Sequence, residues 1–83
     1  MEDYKKRVIV ERDELNKKFE KLSNFISSGV FSQLDDEERY LLNTQYNSMA
    51  IYLVTLDRRI QRWGLTPEDI FDVLHPKANE NVE

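Results

Sequence analysis

The 83-residue sequence has no cysteine, which excludes disulfide staples and thiolate metal sites. Its single histidine, His75, excludes a histidine metal cluster and leaves no Ser–His–Asp set to assemble. The two glycines, Gly29 and Gly64, stand alone, so no glycine-rich loop can cradle a phosphate. Paired carboxylates occur only at helix-start or surface positions. The expectation is a protein that is not an enzyme and that uses no cofactor and no metal. Two glycines and two prolines are also too few for a sheet with its turns. The N-terminal stretch MEDYKKRVIVERDEL holds an apolar run of only Val8-Ile9-Val10, unlike a signal peptide. No stretch nears the roughly 18 apolar residues of a membrane span, so no membrane partner is expected.

Charged residues make up 34% of the chain, and the net charge is −4. The negative total argues against general binding to nucleic acid, and no DNA partner is expected. A chain this small without disulfide or metal buries a limited core, which leaves self-association as the remaining aid to stability.

The apolar periodicity predicts an all-α fold: an antiparallel two-helix hairpin over residues 1–64 and a short C-terminal helix over 65–75, assembling into a helical oligomer. Val8, Leu15, Phe19, Leu22 and Ile26 form one stripe on a first helix of about residues 2–27. Asp3 is read as its cap and Gly29 as its left-handed stop. Residues 28–35 form a connector whose Val30, Phe31 and Leu34 cover the end of the hairpin. Leu42, Tyr46, Met49, Leu53, Leu56, Ile60 and Trp63 then make a heptad seam on a second helix of about 36–63. Asp35 and Glu38 have capping-box spacing at its start, and Gly64 ends it. Matching the two stripes sets a register in which paired residue numbers add to about 68. Val8 then meets Ile60, Leu15 meets Leu53, and Leu22 meets Tyr46. Thr66-Pro67-Glu68-Asp69 starts the short helix, and Pro76 stops it after a structural His75. Residues 76–83 read as a disordered tail.

A hairpin buries one stripe per helix, and this chain has apolar residues to spare. Ile9, Val10 and Phe25 lie off the first stripe, and Leu41, Ile51, Tyr52 and Val54 off the second. In water they would form an unusual patch. A second hairpin packed on them is the economical explanation; the short helix folding back over some of them is the alternative.

Basic residues gather in two places. Seven lie on the first helix: Lys5, Lys6, Arg7, Arg12, Lys17, Lys18 and Lys21. Three close the second: Arg58, Arg59 and Arg62. The antiparallel hairpin brings the end of the second helix beside the start of the first, with Tyr4 and Trp63 at the same pole. Arginine suits bidentate phosphate contacts and an aromatic ring suits base stacking, so this pole is a candidate anion and base site. Two plainer readings stay open. The first-helix cations could pair with Glu11, Asp13, Glu14 and Glu20 along the helix. Trp63 fits the core seam.

The strings DYKKRV, ERDELNKKFEKLSNFI and FSQLDDEERYLLNTQYNSMAIYLVTLDRRI resemble the helical-hairpin domain shared by phage anti-CBASS sponge proteins and one class of anti-Thoeris proteins, including crAss-phage-related small proteins. The resemblance covers about residues 3–60 and rests on the joint order of Asp3-Tyr4, Arg7-Val8, Leu15, Lys18, Lys21-Leu22, Phe25-Ile26, Phe31, Leu34, Leu42, Gln45, Met49, Tyr52, Leu56 and Arg59-Ile60. It implies a sponge that binds cyclic di- or trinucleotide immune signals without cleaving them, in the cytoplasm of the infected bacterial host. It further implies a homo-oligomer, a hexamer, with dinucleotide pockets between protomers and separate trinucleotide sites. Tyr4 resembles the family's base-stacking tyrosine. Lys21 resembles its phosphate-contacting lysine, with Lys18 as a substitute. Arg62 and Thr66 resemble the Arg and Thr of the trinucleotide site. A protein-interaction module, such as an inhibitor of a host protein or a small scaffold, is the competing expectation from the surplus apolar surface.

Overall fold

The computed structural model describes residues 1–76, and these form four helices: α1 (Asp3–Ile26), α2 (Gly29–Ser32), α3 (Asp36–Gln61) and α4 (Pro67–Leu74). Of the stretch 76–83, read from the sequence as a disordered tail, residues 77–83 lie outside the described residues. No strand occurs among the described residues.

The helix ends follow local chemistry. The Asp35 carboxylate accepts from the Glu38 N–H at 2.8 Å and caps α3. At α4 the Thr66 hydroxyl accepts from the Asp69 N–H, and the Asp69 carboxylate accepts from the Thr66 N–H, so the box is closed from both sides. Gly64 ends α3 with φ +64°, a conformation that a β-carbon disfavours.

Two expected helix ends are corrected. Asp3 does not cap α1: Glu2 holds the N-cap position and makes no side-chain cap bond, while Asp3 is already helical. Gly29 does not stop α1 in a left-handed turn. The helix closes through Ser27, whose N–H reaches the Ser23 carbonyl in a right-handed conformation. Gly29 then opens α2, a single turn within the stretch expected to be plain connector. Serine hydroxyls at 27, 28 and 32 bond back to nearby carbonyls and satisfy this corner locally.

Helices α1 and α3 run antiparallel. Arg12 clasps Asp57 through Nε at 2.7 Å and Nη2 at 3.4 Å, and Tyr4 meets Trp63. Those pairings add to 69 and 67, one either side of the predicted 68. Deeper in the hairpin the register slips by about a turn, and Tyr46 stacks on Phe19, with ring centres 4.7 Å apart. A straight helix drifts against a strict seven-residue repeat, so one register does not hold along the full seam.

The core sits near the open end of the hairpin: Val8, Ile9, Leu56 and Ile60, with Leu15, Trp63, Leu65, Ile70, Val73 and Leu74 packed against them. For Ile9 the alternative of the two expectations holds, the short helix rather than a second hairpin covering it. Ile9 lies off the seam yet is only 2% exposed, because α4 folds back and sets Ile70 and Leu74 beside Ile9 and Ile60. At the loop end Phe25 is half-buried and meets the Phe31 ring edge-on, while Val30 stays exposed. Val10, Leu41, Ile51, Tyr52 and Val54 also remain exposed, Ile51 by 69%.

Candidate anion site at the open end of the hairpin

The open pole is built from the first turn of α1 and the end of α3. The Tyr4 ring stands perpendicular to that of Trp63, with centroids 5.9 Å apart. The Lys5 ammonium lies 5.4 Å from the Trp63 ring centre and 3.4 Å from a Glu2 carboxylate oxygen. Cation–π attraction and the ion pair together tie this lysine down. The Glu2 carboxyl is held below its usual range, first by its own backbone N–H and then by Lys5. Trp63 belongs to both of its sequence readings: it packs on the core and also touches Tyr4.

The cations fall into two groups. Among the described residues the ion-paired bases are Lys5 with Glu2, Arg12 with Asp57, Lys17 with Asp13, and Arg39 with Asp36. The exposed Lys6, Arg7, Lys18, Lys21, Arg58, Arg59 and Arg62 have no such partner among the described residues. The plain reading, helix-surface pairing, therefore accounts for Lys17 but not for these seven.

The structure does not bring all the candidate residues together. Tyr4, Arg7, Lys18 and Lys21 are separated by 3, 11 and 3 residues, which places them on one flank of α1. Tyr4 and Lys21 are nevertheless about 25 Å apart along the axis at 1.5 Å per residue. Arg59 and Arg62 close α3 at the Tyr4 pole, Arg62 as its C-cap. Arg58 borders a shallow hollow with Ala50, Ile51, Val54 and Thr55 on an outer, apolar face of α3. Thr66 has its hydroxyl oxygen engaged in the cap of α4, which leaves its O–H proton and one lone pair for an outside partner.

The concavity between α1 and α4 does not suit an anion. A groove of about 550 Å³ between α1 and α4 has Lys6 and Arg7 on its wall, but Glu11, Glu14, Asp69 and Asp72 as well. Four carboxylates against two cations would repel a phosphate. Lys5 is the contributor that sequence reasoning undervalued; it was counted as one base among ten, and only the fold places it over two rings. The signal open to sequence was its i,i+3 spacing from Glu2.

Among the described residues no helix is long and apolar enough to cross a membrane, and no cluster of His, Asp and Glu could hold a metal. No curated protein and no solved structure matches the chain. A family model described as Sequestin matches residues 2–62. That match spans all of α1, α2 and α3, well over half of the sequence, and the chain belongs to the Sequestin family.

Proposed function

We propose that the protein is a sponge: it binds cyclic di- or trinucleotides reversibly, leaves them uncleaved, and keeps them from their receptors by mass action. The family name denotes sequestration, which fits this reading. The observation that carries it is a half-exposed Tyr4 ring held at the pole where Arg59 and Arg62, without an acidic partner among the described residues, end α3. A ring face suits a base, and unneutralised guanidiniums suit phosphate.

One chain leaves Tyr4 and Lys21 far apart, so a pocket using both is completed by a second copy. The exposed apolar face around Ile51 and Val54 supplies a surface for that contact. The working assembly is a homo-oligomer, a hexamer on the resemblance, acting in the cytoplasm of a phage-infected bacterium. The same apolar face also favours a second reading, a non-catalytic module that docks on a host protein.

Thermal melting of the purified protein against cyclic di-AMP, cyclic di-GMP, cyclic GMP–AMP and cyclic tri-AMP, with linear dinucleotides as controls, separates the two. A ligand at 100 times its Kd stabilises by about 2.7 kcal/mol, or about 10–20 °C in a domain of this size. The sponge reading expects such a rise with a cyclic ligand that is recovered intact after denaturation. No rise with any member, together with a stoichiometric host protein in a pull-down, selects the docking module instead.

A further inference from the structure

We infer that Trp63 is a positioning residue for ligand binding: it holds the Tyr4 ring ready to receive a base. The inference rests on the sponge reading and adds a residue that the ligand need not touch.

Tyr4 lies in the first turn of α1, where Glu2 provides no side-chain cap. First turns have unpaired backbone N–H groups and fray readily. A ring placed there and 47% exposed would sample several rotamers if nothing held it. Trp63 holds it by the perpendicular contact at 5.9 Å. Trp63 is itself fixed from three directions. Its backbone N–H donates to the Ile60 carbonyl at 3.0 Å. Its side chain packs on the core of Val8, Ile9, Leu56 and Ile60. Lys5, anchored by Glu2, lies over its ring. A chain of contacts therefore runs from the core through Trp63 to the Tyr4 ring, which has besides it only the Lys5 ammonium 6.0 Å from its centre among the described cations and rings. The ordering that a stacking ligand would have to impose on Tyr4 is already supplied.

The test is a double-mutant cycle on the full chain, titrated with the tightest-binding member of the cyclic panel above. Trp63→Leu should weaken binding by about two- to tenfold, the range set by one aromatic pair. In a Tyr4→Ala background the same change should weaken it no further, since Trp63 acts through Tyr4. Trp63→Phe should restore most of the affinity. Trp63 is the only tryptophan, so wild-type fluorescence should change on binding, and a Tyr4→Ala chain should show a much smaller change.

Equal weakening in both backgrounds, or wild-type affinity in Trp63→Leu, overturns the inference while leaving the sponge reading in place. Tyr4→Ala binding as tightly as wild type overturns the inference and its pocket, again without touching sequestration. A wild-type chain that binds no cyclic nucleotide overturns both. Circular dichroism of each variant distinguishes lost binding from lost helix.

Discussion

Replacing Ile9 by alanine is expected to destabilise the protein far more than replacing its neighbour Val10. The two are adjacent in sequence and similar in chemistry, but Ile9 is 2% exposed and Val10 38%. Truncating a fully buried isoleucine removes about 2–5 kcal/mol, through lost transfer energy and the cavity left behind. The surroundings narrow that range. Ile9 borders an existing hollow of about 150 Å³ with Ile60, Ile70 and Leu74, and α4 is a short helix able to settle inward. Partial collapse favours a value of about 3 kcal/mol. For an 83-residue chain this corresponds to about 12–24 °C in Tm. Val10→Ala, at a half-open site, should lower Tm by only a few degrees. The assay is thermal melting by circular dichroism, with both variants at one protein concentration so that any self-association is matched. If Ile9→Ala melts within about 3 °C of Val10→Ala, α4 does not cover Ile9, and the placement of the short helix on its own hairpin is refuted.

Gly64→Ala should cost about 1–2 kcal/mol, because Gly64 has φ +64° while its β-carbon would meet no atom; a Tm unchanged by the substitution would show that the turn relaxes. Arg12→Ala should cost about 0.5–1 kcal/mol, less at high salt, since its two-pronged bond to Asp57 is part-exposed; a loss that salt leaves unchanged would assign the effect to packing. The Glu2 carboxyl, with its pKa lowered in the folded chain, adds stability that is present above its ordinary value and lost as pH falls through the lowered one. Titration of Glu2 by NMR should therefore give a midpoint below that of an unstructured glutamate, and Lys5→Ala should move it part of the way back.

Much of the fold was legible in the residues themselves because its causes are local. The period of Leu42 to Trp63, the Asp35 cap, the Thr66-Pro67 start and the Gly64 stop each depend on neighbours within about one turn. The failures at Asp3 and Gly29 were local too, but there two signals competed. Backbone closure through Ser27 did what a left-handed glycine would have done, and Glu2 rather than Asp3 took the position before the helix.

The candidate site was legible only as a list of residue types. The antiparallel register put Tyr4 and Trp63 at the pole of Arg58, Arg59 and Arg62. Spacing could not tell which cations are neutralised, since an ion pair such as Arg12–Asp57 joins residues 45 apart in sequence. It could not place Lys5 over Trp63 either, nor show that Ile9 is buried. Those outcomes depend on where α4 lands, and α4 is placed by apolar area shared with α1 and α3, not by any preference of its own eight residues. The sequence by itself determined the two long helices and the short C-terminal one, with the starts of α3 and α4 and the stop of α3. Only the tertiary structure decided which side chains are covered, which charges stay free, and how far apart on one chain the ligand-facing groups lie.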